Sequence, residues 1–303
     1  MKIAILDYPG SSKASLYGLQ ELFEMANRAV AELLVERRFY PQIVQWVNQA
    51  DMASEFAVVI IPPSGSMQYY LDPAPSMLEW LVGQRKSGAV LASACAGAFI
   101  LAQTGLLANK TCTTHWALAG LFRQRFHNID LKPEAILINE GGILTAGGMM
   151  SWLDLGLELV STLSSPAVMR LLGKMLVVDT GGREQRFYQQ FSPNLQHGDS
   201  AVLNVQHFIA DHYTQGISNL ALADIACLTE RTLQRRFQKA TGLSLNQYIQ
   251  HVRVQKACDL LESSHLPFDA IAHRAGYQDV SAFRKVFVKT MGLTPKAFRA
   301  RFC

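Results

Sequence analysis

Two groups of residues in this sequence have the types and the spacing to do chemistry. The first centres on Cys95. An apolar run, Ala89-Val90-Leu91-Ala92, leads into Ser93-Ala94-Cys95-Ala96-Gly97, and a helical pattern begins at once with Ala98-Phe99-Ile100-Leu101. Small residues on both sides of the cysteine permit the sharp strand-to-helix turn that exposes a nucleophile. A helix N-terminus favours the thiolate, so the spacing predicts a pKa below the ~8.5 of a free thiol. It also predicts that Cys95 alkylates ahead of Cys112, Cys227, Cys258 and Cys303. Twenty residues on, Thr113-Thr114-His115-Trp116 supplies a histidine that could face the sulfur, and Glu21 could reach it from the other side. Beside a thiolate, Glu21 would have to be protonated or balanced by His115, because adjacent anions repel. The plain alternative is that Cys95 is a small buried hydrophobe, as most lone cysteines are.

The second group lies between Leu222 and Thr294, where one unit is written twice. Leu222-Ala223 and Leu228 answer Ile271-Ala272 and Tyr277 at an offset of 49 residues. Leu233, Phe237 and Thr241-Gly242-Leu243-Ser244 answer Phe283, Phe287 and Met291-Gly292-Leu293-Thr294 at an offset of 50. A repeat of apolar positions and a closing glycine indicates a duplicated supersecondary unit. Each copy reads as a short helix, a turn and a second helix, capped by Thr229 and stopped by Gly242 in the first, capped by Asp279 in the second. With Leu233 and Phe237 inward, Arg231, Gln234, Arg235 and Gln238 share the outer face. The second copy presents Ser281, Arg284 and Lys285 opposite Phe283, Val286 and Phe287. Arg and Gln suit base edges in a major groove and Lys suits phosphates. One charged helix face is ordinarily just solvated; two in tandem on helix-turn-helix units point to double-stranded DNA. Arg236, nearer the core side, reads as a phosphate or structural contact.

The elements that must position these residues fall into two domains. Lys2–Asp7, Gln42–Val47, Ala57–Pro62, Ala89–Ser93, Ala135–Asn139 and Gly142–Ala146 read as strands. Lys13–Arg37, Ser76–Arg85, Ala96–Thr104 and Met150–Leu163 read as helices among them. This alternation predicts an α/β fold, a flavodoxin-like, mostly parallel sheet sandwiched by helices, over residues 1–185. Ligands of such sheets bind outside the carboxyl ends of the strands, which is where Cys95 falls. Gly181-Gly182-Arg183 and Ser192-Pro193-Asn194 bracket a polar stretch, so 186–200 is expected to be a linker. An all-α domain with two helix-turn-helix units follows over 201–303.

Residues 232–237, Thr-Leu-Gln-Arg-Arg-Phe, resemble the AraC/XylS-type DNA-binding domain. So do Ile271-Ala272, Ala275-Gly276-Tyr277, Ser281-Ala282-Phe283 and Gly292-Leu293-Thr294-Pro295 with Phe298-Arg299. The resemblance implies two helix-turn-helix units joined by a long helix, here Ser244 to about Ser263. Cys227 stands where that family commonly has the turn glycine, and a positive φ there would strain it. Ser93 to Ala102, Gly105-Leu106-Leu107 and Thr114-His115-Trp116 resemble the PfpI-type, glutamine-amidotransferase-like superfamily, as do Gly18 with Glu21, Ala26-Asn27-Arg28, Thr145-Ala146-Gly147 and Asp154. That resemblance implies a carboxylate partner for the elbow cysteine, matching Glu21, and often a histidine, matching His115. The loop Pro62-Pro63-Ser64-Gly65 leaves Ser64 and Gly65 as oxyanion donors. Together the two halves resemble the GlxA-type transcriptional regulators. The expectation is a sequence-specific DNA-binding regulator, a homodimer, whose first domain senses a small molecule. Cys95-dependent amidase or hydrolase activity, and redox or electrophile sensing, stay open beside it.

Composition agrees. Of 28 Lys+Arg and 24 Asp+Glu, residues 201–303 hold 13 and 7, so the net +4 comes wholly from the helical third. That fits attraction to phosphates. The chain is 49% hydrophobic and 17% charged, without an apolar run near the ~20 residues of a bilayer span. Met1–Asp7 lacks a secretory cleavage pattern, and five cysteines without paired spacing argue against disulfides or zinc. No metal, cofactor or membrane partner is expected, and the compartment expected is the cytoplasm.

Overall fold

The computed structural model describes residues 1–46, 54–181 and 184–303, in two compact units, Met1–Gln185 and Arg186–Cys303. Val47 of the expected second strand and Gly182-Arg183 of the expected bracket lie outside the described residues.

The first unit is built on a sheet of β1 (Lys2–Asp7), β2 (Tyr40–Gln45), β3 (Val58–Ile61), β4 (Val90–Ala94), β7 (Leu137–Asn139) and β8 (Ile143–Ala146). Among the described residues its order is β2-β1-β3-β4-β8-β7, parallel except for the β7–β8 pair. Its central strands read as continuous apolar runs because both faces are covered. One face packs on α3 (Pro75–Lys86) and α4 (Gly97–Gln103) through Leu81, Phe99 and Leu91. The other packs on α1 (Lys13–Glu32), α6 (Trp152–Leu163) and α7 (Pro166–Leu176) through Leu19, Phe23, Leu155 and Val160. Asn27 fixes the entry to β2: its amide donates to the Phe39 carbonyl at 2.7 Å and accepts the Phe39 N–H at 2.8 Å. Gly18 makes room on α1 for the Trp152 ring, whose Cζ3 would lie 2.9 Å from an added Cβ.

Boundaries moved for local reasons. The first helix stops at Glu32, not Arg37, because the chain turns at Leu33 and enters a positive φ of 53° at Leu34. Helix α7 and the short pair β5 (Thr111–Cys112) with β6 (Asp130–Leu131) stand where no element is expected, although Pro166 at the first turn and the Ser165 cap are ordinary helix-start signals.

The second unit contains α8 (Ser200–His212), α9 (Asn219–Ile225), α10 (Glu230–Thr241), α11 (Leu245–Ser263), α12 (Phe268–Arg274), α13 (Val280–Met291) and α14 (Pro295–Phe302). The caps are those that the sequence names. Thr229 accepts from Thr232 N–H and Asp279 from Ala282 N–H, while Gly242 and Gly292 end α10 and α13 at φ of 74° and 72°. Residues of the expected linker, 186–200, pack on this unit. Phe191 lies edge-on to Tyr248, and Asp199 caps α8 while binding Arg236 of α10.

The two turns superimpose in their hydrogen bonds. Cys227 N–H donates to Asp224 and Leu228 N–H to Ala223, as Gly276 does to His273 and Tyr277 to Ala272, all at 3.0 Å. Both need positive φ, 51° at Cys227 and 85° at Gly276. Cys227 is therefore strained, as the substitution for glycine implies. Cys227→Gly should raise the free energy of unfolding by about 0.5–1 kcal/mol, the relief of a left-handed residue partly offset by chain entropy. Gly276→Ala should lower it by about 2 kcal/mol or more, since strain adds to a clash. A Cβ there would sit 2.7 Å from Thr214 Cα. Urea unfolding of both variants checks the opposite signs.

Candidate functional site

The outer faces of α10 and α13 carry the polar side chains that the repeat predicts. Arg231, Gln234, Arg235 and Gln238 are exposed, and so are Ser281, Arg284 and Lys285, while Leu233, Phe237, Phe283 and Phe287 are fully buried beneath them. Their states differ in ways the sequence does not reveal. Gln238 donates to the Gly242 carbonyl at 2.9 Å, so it must release a helix end before it can read a base. Arg284 lies over the Phe268 ring at 5.3 Å and 3.7 Å from Asp269, which fixes its direction. Arg236 binds Asp199 through Nε at 2.8 Å and Nη2 at 2.6 Å, the structural role expected from its place on the helix. That pair holds the Asp199 carboxyl below its usual range.

In the first unit, Cys95 sits at the elbow between β4 and α4 with a φ of 55°. The turn is as tight as the small residues imply. A Cβ on Gly97 would lie 2.7 Å from the Ile61 carbonyl oxygen, so only glycine lets α4 start against the end of β3. The thiol is not exposed, however: Cys95 is 3% accessible. Burial pushes its pKa up to about 11, against the one lowering contact from the Ala96 N–H. The expected low pKa is thus overturned. The helix that should favour the thiolate is short, and phenols lie near enough to feel the thiol's charge. A charge on the sulfur would further raise both Tyr8 and Tyr70, whose own burial already raises them.

Glu21, unlike Cys95, is exposed. It lies on the exposed face of α1, opposite Leu16, Leu19, Phe23 and Ala26, and two turns beyond the helix start that approaches the carboxyl edge of the sheet. Buried Ser15 occupies the first turn instead, its hydroxyl donating to the Ser12 carbonyl at 2.7 Å. His115 is half-buried and caps the 3-10 turn Trp116–Leu118, its Nδ1 accepting from Ala117 N–H at 3.1 Å. The proton of the neutral ring is therefore on Nε2, and burial lowers its pKa. The residue that does touch the elbow is Thr114, whose hydroxyl donates to the Cys95 carbonyl at 2.7 Å. Of the two expected oxyanion donors, Gly65 N–H is committed to the Gly10 carbonyl at 3.1 Å.

Comparison with known proteins agrees with both halves. Residues 222–301 match the helix-turn-helix domain family and residues 41–162 match the DJ-1/PfpI family. The chain is similar to the HTH-type transcriptional regulator CdhR of Pseudomonas aeruginosa, 24% identical over 228 residues that cover 75% of this chain and 67% of that one. It is similar to the HTH-type transcriptional regulator GlxA of Rhizobium meliloti, 26% identical over 214 residues that cover 68% and 63%. The chain thus spans about two thirds of the length of these relatives. A solved transcriptional-regulator structure from Vibrio parahaemolyticus shares the fold over 58% of this chain and 98% of its own, with a TM-score of 0.51 at 22% identity.

The chain joins a DJ-1/PfpI domain to an AraC-type helix-turn-helix domain. In this the chain is similar to the two HTH-type transcriptional regulators above, and the helix-turn-helix domain makes the chain a DNA-binding one. Among the described residues no helix is long and apolar enough to cross a membrane.

Sequence reasoning missed one residue of the DJ-1/PfpI domain altogether. Gln185, the last residue expected of that domain, carries no signal of a role, yet it is 2% exposed and its amide donates to Thr114 O at 2.9 Å, Ala135 O at 2.9 Å and Thr113 Oγ1 at 3.1 Å. Its Oε1 accepts from Trp116 N–H at 3.2 Å. Gly147 is the trace it leaves in the sequence, since a Cβ there would fall on the Gln185 amide.

At neutral pH iodoacetamide should modify exposed Cys227 and Cys303 well before buried Cys95, Cys112 and Cys258, as rate-resolved peptide mapping would show. The three buried thiols also set a pH dependence. Burial raises Cys95 to about 11 and Cys112 and Cys258 to about 12, from 9.0. Above pH 9 the unfolded chain holds fewer of these protons than the folded one, so the thiols lower stability as pH rises from 9 towards 12 and contribute no pH dependence below. Urea unfolding at pH 8 and 10.5 measures the loss, and Cys95→Ser should reduce it.

Proposed function

We propose that the chain regulates transcription by gripping one specific DNA site with α10 and α13 together, while its DJ-1/PfpI domain reads a small molecule beside Cys95 and pairs two copies of the chain. The tandem helices carry this reading. Two recognition faces with matching caps, matching buried aromatics and exposed Arg, Gln and Lys suit successive major grooves about one helical turn apart. Gln234 and Arg235 are the base readers, being exposed on the same face. Arg231, Ser281 and Lys285 flank them, Gln238 joins only on leaving Gly242, and Arg284 is directed by Phe268 and Asp269. Net positive charge on this third of the chain supplies the attraction to phosphates.

Sensing suits the first domain better than catalysis. A hydrolase would need a thiolate, a base on the sulfur and free oxyanion donors. Here the thiol is buried with a raised pKa, the His115 Nδ1 caps a turn, Glu21 faces outward and the Gly65 N–H is taken. The positive-φ elbow and the Ala96 N–H directed at the sulfur are what favour an amidase. Turnover of a simple amide or nitrile that is lost in Cys95→Ser would carry that second reading. A cytoplasmic location follows from the role.

One protomer should protect roughly 15–20 base pairs in a footprint, with affinity that falls steeply with salt. Gln234→Ala and Arg235→Ala should each cost about 1–3 kcal/mol at the selected site and relax preference at one or two base pairs. Gln238→Ala should cost less. Losses that are equal on every duplex sequence would defeat base readout by α10.

A further inference from the structure

The segment that leaves the first unit is held at every step. Its root is Gln185, whose buried amide is bonded to Thr113, Thr114, Trp116 and Ala135. Its backbone N–H donates to the Glu134 carbonyl at 2.8 Å. Thr113 is tied to β8 by its N–H, which donates to Thr145 Oγ1 at 2.9 Å, and Thr114 holds the Cys95 carbonyl. The loop 113–116 and Gln185 are thus one satisfied, buried polar network rooted on the elbow. Breaking any member leaves a buried donor or acceptor unpaired, so such groups shift together or not at all.

One residue later the chain belongs to the second unit, and it straps both helix-turn-helix units. Arg186 and Phe187 lie against Gly292, the cap of α13, where an added Cβ would be 2.8 Å from Arg186 Cδ and 2.9 Å from a Phe187 ring carbon. Arg301 of α14 covers the Phe187 ring at 5.2 Å, and Tyr188 packs on Phe302 at 5.5 Å. Phe191 stacks on His251 at 5.2 Å and donates its N–H to Gln255 of α11 at 2.8 Å. The Asn194 carbonyl accepts from buried Gln206 at 3.1 Å. His197 Nδ1 accepts the Asp199 N–H, so its Nε2 donates to Gln206 Oε1 at 2.8 Å. Asp199 then caps α8 and grips Arg236 on α10. One end of the strap meets the cap of one recognition helix, and the other end meets the side of the other.

We propose that Gln185 is the positioning residue through which the Cys95 loop sets this strap, so that a change at residues 113–116 alters how α10 and α13 are held. The proposal rests on the reading of the first domain as a sensor and the second as the DNA reader. It requires only that the network around Gln185 has two arrangements, with the strap following its root. Close approach requires glycine at Gly147, beneath the amide, and at Gly292, beneath Arg186 and Phe187.

Hydrogen exchange read by mass spectrometry on the full chain, without DNA or effector, tests the coupling on wild type, Thr114→Val, Gln185→Met and the double variant. Thr114→Val removes the bond to the Cys95 carbonyl and touches nothing in the second unit. It should nevertheless speed exchange of the strap amides at 189–199 by about threefold or more, the smallest effect expected of residues sharing one network. Gln185→Met should do the same, and the double variant should exceed neither single one. Amides of β1, β3 and β4 should keep their protection, which shows that the fold is intact; if Gln185→Met loses it, Thr114→Val alone decides. Strap exchange unchanged in Thr114→Val, or effects that add in the double variant, would overturn the proposal. Because no DNA is present, that failure would leave the DNA-binding reading standing, and a failed footprint would leave the coupling standing.

Discussion

The first domain depends on a strand that must become a helix within two residues. β4 ends at Ala94, α4 begins at Gly97, and the chain reverses between them only because Cys95 accepts a φ of 55°. A left-handed conformation costs a non-glycine residue about 1–2 kcal/mol, so surrounding contacts have to hold it. Here they do: Cys95 N–H donates to the Ala146 carbonyl at 2.8 Å, its carbonyl accepts from Thr114, and Gly97 lets the helix close on the Ile61 carbonyl. The sulfur is buried in the cluster that holds Tyr8, Tyr70 and Phe99, and burial decides its chemistry. An exposed thiol at an elbow can ionise and act as a nucleophile; a buried one stays neutral.

The second domain depends on one shared helix. α11 gives Tyr248 and Ile249 to the core under α10, and Val254, Ala257, Cys258 and Leu261 to the core under α13. The two helix-turn-helix units are therefore separate in their cores and rigidly indexed by one rod, with a Ser244–Gln247 capping box at its start. Duplication explains why their turns agree in every hydrogen bond. It does not explain Cys227, which keeps the glycine conformation without the glycine. Nor does it explain Arg236, whose carboxylate partner lies in a segment outside the repeat, where Asp199 also starts α8.

That segment is packed within the second unit. Polar, proline-containing sequence between domains commonly means a flexible tether. Here Phe191, Asn194, His197 and Asp199 each have a specific seat: Gln255 accepts from Phe191, buried Gln206 binds Asn194 and His197, and Arg236 binds Asp199. A buried amide with fitted partners costs little when complete and much when incomplete. That asymmetry makes such a segment suitable for passing on a change in its root.

The sequence by itself determined the alternation that makes an α/β domain, the elbow at Cys95, the two helix-turn-helix units with their caps, and the exposed faces of α10 and α13. Each of these is encoded locally, by a period, a cap or a small residue, and local codes survive without knowledge of the fold. It also located the strain at Cys227, because a missing glycine is itself a local signal. Only the tertiary structure decided the environment of Cys95, the outward face of Glu21, the capping role of His115 and the burial of Gln185. Desolvation and hydrogen-bond satisfaction depend on which distant residues arrive, Tyr8 and Tyr70 over the sulfur, Thr113, Trp116 and Ala135 around the amide. A glutamine read in sequence carries no mark of the four groups it will bind, and a cysteine carries no mark of how much water it will keep.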